Sequence, residues 1–410
     1  DNRLELSAST SIALDQGESV DLPTRHQIAA RYALTEDVRM VGLYEIADGE
    51  NISAHTVKGG FEVTPWNGAQ AVTSIGKQRI DEFGNRTFAA FGLSQSLQVT
   101  PSLTIDATID GNRTLGKDPA LGDIVNPDHP VSSGGQLGQG GSLFEDFGAA
   151  TLGVAYRKDR WSATARAEYR DGQWATRKGI TAGAIRQLGE GSIVGSGLTW
   201  TNASGTDGAE SEILDAAIAL AHRPDNSEFS FLSKLEYRSD QVWNVVAGEV
   251  GPVGRSAFAV TGDARSRRLI ASLSGNWSPY GESEDGSFFQ RDEYGLFLGA
   301  RYNLDQVEGY SLEGTTLIAG SEVRFGLGER FEIGGRGTVR ATLRDRTTSF
   351  SFGPNLGFVP VDGALLTLGY NITGFRDEDF SAARQTDAGF YATARMKLDA
   401  DSLSALGLSR

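Results

Sequence analysis

The feature that most constrains this chain is strict alternation of apolar and polar residues in segments longer than the strands of most soluble sheets. From Trp161 to Arg170 the odd positions Trp161, Ala163, Ala165, Ala167 and Tyr169 avoid water, while Ser162, Thr164, Arg166, Glu168 and Arg170 seek it. A period of two puts alternate side chains on opposite faces of a β-strand. The pattern returns in Phe331, Ile333, Val339, Ala341 and Leu343 against Glu332, Arg336, Thr338, Arg340, Thr342 and Arg344. Leu366, Leu368, Tyr370 and Ile372 oppose Thr367, Gly369, Asn371 and Thr373, and Phe390, Ala392, Ala394, Met396 and Leu398 oppose Tyr391, Thr393, Arg395 and Lys397. Such segments run about 10 residues, enough to cross a bilayer at a tilt, whereas soluble strands run about 5–6.

The make-up of the apolar face points the same way. It is rich in Ala and Gly and carries aromatics at the segment ends, with Trp161, Phe229 and Phe331 at one end and Tyr44, Tyr169 and Tyr237 near the other. Lipid fills the gaps such a face leaves, and aromatic girdles mark the two membrane interfaces. With 52 Gly, 20 Phe, 11 Tyr and 6 Trp but only 39% apolar residues, the chain is too polar for helical membrane spans and too aromatic for disorder. No run of about 18 apolar residues occurs.

Short turns are predicted at Thr35-Glu36-Asp37, Pro65 to Gly68, Val99 to Ser102, Lys158-Asp159-Arg160, Gly326 to Glu329 and Val361-Asp362-Gly363. Longer polar linkers cover 115–145, 241–265, 280–290 and 376–387. Short connections on one side and long ones on the other are the asymmetry of outer-membrane barrels, periplasmic and extracellular respectively. The expected fold is therefore all-β, a transmembrane antiparallel up-and-down β-barrel of about 18–20 strands, with 20 the best count. The barrel spans residues 1–399 with a long extracellular loop at 115–145, and residues 400–410 form a short periplasmic extension. The opening at Asp1 lacks a basic-then-apolar leader, so the sequence reads as a mature or truncated product.

Cysteine is absent, which removes disulfides, thiolate metal sites and cysteine nucleophiles. A net charge of -15 disfavours nucleic acid as a partner.

The segment Leu368 to Phe380, followed by Arg395-Met396-Lys397-Leu398-Asp399, resembles the C-terminal β-barrel domain of large multidomain proteobacterial outer-membrane proteins that carry extracytoplasmic repeat domains. Tyr32 to Thr35, Tyr44 to Gly49 and Thr64 to Ala69 are similar to strand-and-turn units of that family. The resemblance implies the fold and an outer-membrane location, and says little about activity. The chain departs from typical barrels by continuing through Ala400 to Arg410 where an aromatic terminus is usual.

Chemistry-bearing patterns are sparse. The four histidines, His26, His55, His129 and His222, are too far apart in sequence for a ligand pair. A hydrolase site would need His129 beside Asp123 or Ser132, all within one loop, and catalysis is the least supported reading. Glycines at Gly326-Leu327-Gly328 and Gly138 to Gly141 lack phosphate-binding spacing. No cofactor or metal site is expected. Asp377, Glu378 and Asp379, with Arg376, concentrate charge on an expected outer loop, either as a cation or partner contact bridging to lipopolysaccharide or as a solvated loop with internal ion pairing. The charged residues opposite the apolar face, Arg166, Glu168, Arg170, Glu332, Arg336, Arg340, Arg344, Arg395 and Lys397, are expected to line the lumen, because Arg or Lys at the bilayer midplane costs about 2–4 kcal/mol. They form either a water-filled pore with a cationic strip or a braced, plugged interior. The functional expectation is a passive pore or the membrane anchor of a larger envelope assembly. The alternative is a non-conducting scaffold whose loops bind a surface protein or lipopolysaccharide.

Overall fold

The computed structural model describes residues 3–12, 24–48, 53–80, 84–118, 146–173, 175–224, 227–246, 261–279, 292–328, 330–360, 364–377, 379–380 and 386–396. Among these residues the period-two segments are strands and there is no helix. The 20 strands match the best count from the sequence. By contacts the chain divides into two compact units, Asp1–Ala184 with Gly197–Asp215 and Ser239–Arg265, and Ile185–Ser196 with Ala216–Arg238 and Ser266–Arg410.

The first unit contains β1 (Leu4–Ser11), β2 (Thr24–Ala33), β3 (Val38–Asp48), β4 (Ser53–Val63), β5 (Ala69–Ile80), β6 (Gly84–Thr100), β7 (Leu103–Lys117), β8 (Phe147–Lys158) and β9 (Trp161–Gly172). Each is antiparallel to the next, in continuous register except for irregularities between β6 and β7 at Thr87/Phe88 and Gln98/Thr100. Five further strands contribute residues to both units: β10 (Ala175–Gly189), β11 (Ser192–Gly205), β12 (Glu210–His222), β13 (Phe229–Val245) and β14 (Gly262–Trp277). The second unit contains β15 (Glu293–Val307), β16 (Tyr310–Leu327), β17 (Phe331–Thr342), β18 (Thr347–Phe358), β19 (Ala364–Asn371) and β20 (Gly389–Met396), again antiparallel in sequence order. β15 and β16 meet through Glu308 and Gly309, both at positive φ (47° and 86°), the primed turn whose twist suits a two-residue hairpin. All-β, antiparallel and up-and-down is the fold class expected from the alternation.

Connections leaving odd-numbered strands include 118–146, 246–261 and 372–388, while those leaving even-numbered strands include 34–37, 101–102, 159–160, 190–191 and 328–330. One expectation needs correcting. The connection 278–292 is long, as predicted, but it leaves the even-numbered β14 and so lies on the side of the short turns. Strands also reach further than their alternation suggests: β7 runs to Lys117, β13 to Val245, and β14 starts at Gly262, inside the stretch expected as a linker. The loop residues 119–145 and the chain from 397 onward lie outside the described residues.

Burial is inverted relative to a water-soluble protein. In the first unit Ile75 and Leu152 are 62% and 58% exposed, whereas Glu45, Gln78, Arg86 and Arg170 are buried. In the second, Leu356 and Leu368 are 61% and 66% exposed, and Ser351, Asn355 and Asn371 are buried between them in the alternation. A face of exposed Leu, Ile and Phe this extensive exceeds what an aqueous surface tolerates. It requires lipid, with backbone polar groups satisfied by neighbouring strands.

Candidate functional site

The site lies in the second unit, where the described residues of the connection 372–388, namely 372–377, 379–380 and 386–388, meet the sheltered face of the strands. Its base is tied to the sheet: Thr373 Oγ1 donates to the Phe350 carbonyl at 2.8 Å, and Asn371 Nδ2 to the Asp387 carbonyl at 2.7 Å. Its two limbs are tied to each other, with the Phe375 amide donating to the Thr386 carbonyl at 2.9 Å and Thr386 Oγ1 returning a bond to the Phe375 carbonyl at 2.5 Å. From this hairpin Phe375 and Phe380 insert into an apolar island with Ile270, Phe297 and Ile318. The island fits because Gly299 has no side chain: a methyl there would lie 2.6 Å from Phe380 Cε1 and 2.7 Å from Ile318 Cγ2. Phe297 meets Phe380 edge-on, with ring centroids 6.2 Å apart.

Around the island is a ring of charge. Arg301 Nη1 donates to Asp377 Oδ1 at 2.9 Å and to Asp379 Oδ2 at 2.5 Å. Asp379 Oδ1 lies 3.5 Å from Arg268 and 3.7 Å from Arg238, and Asp377 Oδ2 lies 3.5 Å from Arg340. Arg340 also donates to the Arg376 carbonyl at 2.9 Å and sits 4.8 Å from the Phe375 ring centroid. Buried carboxylates are retained only with such partners. The loop is thus latched by two aromatic rings and two carboxylates.

Asp377 and Asp379, read from sequence as an outer-loop contact, are here turned onto the sheet, where guanidinium groups stand in the place a bound cation would take. Glu378 lies outside the described residues. Of the residues expected to line the lumen, Arg336 and Arg340 reach this region; Arg336 donates to Asn371 Oδ1 at 3.4 Å and stacks 4.1 Å over Tyr391. Glu332 lies 3.6 Å from Arg324, which also pairs with Glu293 and Glu322. In the first unit Arg166 pairs with Asp106 at 2.8 Å, Glu168 is half-buried beside it on β9, and Arg170 is buried 4.1 Å over the Phe147 ring. Arg344 is in the turn 343–346 past the end of β17 and donates to the Glu313 carbonyl at 2.8 Å, so it lies beyond the wall assigned to it. Arg395 belongs to β20, with no side-chain position described, and Lys397 lies outside the described residues.

Sequence reasoning missed Arg238, Arg268 and Arg301, whose strands alternate less cleanly. Two signals were available: aromatics at Phe375 and Phe380 bracketing an acidic run, and a lone Gly299 on a sheltered strand face between Phe297 and Arg301. Among the histidines, His26 contacts Thr10 Oγ1 at 3.2 Å and His222 contacts Ser192 Oγ at 2.8 Å, while His129 lies outside the described residues. No cluster of potential metal ligands occurs among the described residues.

Neither a protein-family profile nor a curated relative matches the sequence. Among solved structures, the chain is similar to OpdQ of Pseudomonas aeruginosa, with 11% identity over 86% of this chain and 94% of that one and a TM-score of 0.32. It is also similar to a loop L8 deletion mutant of OmpT, an outer membrane protein of Vibrio cholerae, with 9% identity, 77% and 98% coverage and a TM-score of 0.32. The siderophore receptor PirA of Acinetobacter baumannii aligns at 8% identity, with 97% and 81% coverage and a TM-score of 0.33. Independently of these likenesses, up-and-down strands with lipid-compatible side chains outward and paired charges sheltered are those of an outer-membrane β-barrel.

Proposed function

We propose that this chain is a non-catalytic, passive channel of the bacterial outer membrane, narrowed from within by the latched connection 372–388. The observation that carries this reading is the loop itself. Asp377 is buried and Asp379 half-buried on the polar face of the strands among Arg238, Arg268, Arg301 and Arg340, which supports a structured element that narrows the channel and keeps a polar lining. Reconstitution of the purified chain in planar bilayers tests it: discrete unitary conductance is expected, and a silent but correctly folded protein would overturn it.

A second reading rests on a separate observation, the density of paired charge on the sheltered face of the first unit. Arg86 meets Asp146 at 3.1 Å, Arg166 meets Asp106 at 2.8 Å, and Glu62 meets Arg39 at 2.9 Å. Cross-strand pairs of this kind also brace a non-conducting barrel. In that reading the chain is the membrane anchor of a larger envelope protein, or a scaffold whose outer loops hold a surface protein or lipopolysaccharide. Retention of a partner through detergent purification by a silent barrel would favour it.

A further inference from the structure

The latch carries more positive than negative charge. Among the described residues, Lys234, Arg238, Arg268, Arg301 and Arg340 meet three carboxylates there, Glu236, Asp377 and Asp379. Of the next carboxylates on the same face, Glu322 lies 3.4 Å from Arg324, whereas Asp305, which accepts from Ser266 Oγ at 2.6 Å, keeps its charge and reduces the excess without removing it. Asp379 is heavily shared, with one oxygen on Arg301 and the other between Arg268 and Arg238. With Glu236 beside Arg238 and Asp377 beside Arg301 and Arg340, three carboxylates still face five cations, and the residual charge sits in a partly desolvated place where it is screened less than at an open surface.

The excess is also accessible. Arg268 keeps 40% of its side-chain surface exposed and touches Asp379 only at 3.5 Å, longer than a strong charge-assisted hydrogen bond. Arg340 keeps 26% exposed. A guanidinium fork with open donors matches the planar geometry of carboxylates and the oxygens of phosphates. We infer that the latch is an oxyanion subsite, in which Arg268 and Arg340, flanking Asp377 and Asp379, take a small solute bearing a carboxylate or phosphate group. The inference rests on the channel reading for its purpose, since such a subsite beside the narrowing loop would favour anions in transit, but it is testable without conductance.

The full chain is purified in detergent, and its thermal unfolding is followed with added sodium pyrophosphate or sodium succinate, each matched in ionic strength by sodium chloride. The expected result is a rise in melting temperature with at least one anion over the chloride control, lost in Arg268→Gln and retained in Arg166→Gln. A response to pyrophosphate alone assigns phosphate, and to succinate alone assigns carboxylate. No rise with either anion, or an equal rise in Arg268→Gln, overturns the subsite. Arg268→Lys, which keeps the charge and loses the fork, is expected to respond more weakly than the parent and serves if the glutamine variant does not assemble. In bilayers under a potassium chloride gradient, chloride should be the more permeant ion, and Arg268→Gln should lower the chloride-to-potassium ratio roughly fivefold, the effect of one charge at about 4 Å in water. A cation-selective parent refutes the subsite. A silent bilayer refutes the channel, with the melting measurement still deciding the subsite.

Discussion

Phe380→Ala should release the latch without unfolding the strands. Phe380 is 1% exposed and sits in the island of Ile270, Phe297 and Ile318, so truncation removes nearly a full aromatic burial and leaves a cavity beside Gly299. Losses of this kind are about 3 kcal/mol in packed interiors. The edge-on contact with Phe297 is part of that loss. Because the ion pairs at Asp377 and Asp379 remain, the loop is weakened rather than deleted, and about 3 kcal/mol is roughly two orders of magnitude in its opening equilibrium. The assay is amide hydrogen exchange of the protein in detergent. The Phe375 amide, bonded to the Thr386 carbonyl at 2.9 Å, and the Asp379 amide, bonded to Asp377 Oδ1 at 3.2 Å, report on the latch. Their protection should fall by about two orders of magnitude, while amides of the β16–β17 ladder keep theirs. Gly299→Ala should produce the same signature from the wall side, since its methyl would press Phe380 from 2.6 Å. Unchanged exchange at Phe375 in both variants would refute the argument that apolar insertion holds the loop.

Val339→Arg, at a half-buried position on the apolar face of β17 that Phe331 and Ile333 share, should cost about 2–4 kcal/mol and reduce heat-resistant folded migration on gels, while Arg340→Gln next to it should assemble normally. Photo-crosslinkers at Val339 and Ala341 should capture lipid and those at Arg340 and Thr342 should not; capture of protein alone at all four positions would sink the membrane reading. Cysteine placed at Asp207, in a connection leaving an odd-numbered strand, should label with an impermeant maleimide on intact cells, whereas cysteine at Asp159 should label only after the outer membrane is ruptured. Arg86→Gln should destabilise by about 3 kcal/mol in chemical unfolding, because its buried guanidinium serves Asp146, Asn112 and Thr114 together, and Arg166→Gln by less than about 1 kcal/mol, its pair with Asp106 being 41% exposed on the arginine side.

The strands were legible because alternation is a backbone consequence: each residue of β17 or β19 points opposite to its neighbours, and a lipid-facing row must be apolar whatever lies behind it. Connection lengths were less legible. The ends of β13 and β14, from Gln241 to Val245 and from Gly262 to Arg265, mix polar and apolar residues on both faces, and only pairing shows that they are strand. Near the membrane edge both faces meet water or headgroups, so the selection that writes the alternation is relaxed there. Arg344 was misplaced for the complementary reason, since the period-two pattern continues for two residues into a turn where it no longer reports a sheltered face.

The latch was illegible for a different reason: its information is divided between distant segments, neither of which is unusual alone. Asp377 and Asp379 read as solvated loop residues until Arg301, on a strand far upstream, is brought to 2.9 Å and 2.5 Å from them. Gly299 reads as a strand-weakening residue until Phe380 occupies its empty side. Both depend on the same property of the sheltered face, that it is freed from packing against a second apolar layer and filled with charge. Charge there is stable only when it is paired or wet. In the first unit Arg39 on β3 pairs with Glu62 on the adjacent β4 and Arg166 on β9 reaches Asp106 on β7, so strand residues meet these charges, while Arg86 takes Asp146 at the end of the connection 118–146. In the second, among the described residues, the ion pairs of Arg268, Arg301 and Arg340 are all with Asp377 and Asp379, both on the loop. The strand wall therefore selects where the loop binds, and replacing both loop aspartates with asparagine should destabilise the wall itself, detectable as a lower melting temperature even with Phe375 and Phe380 intact.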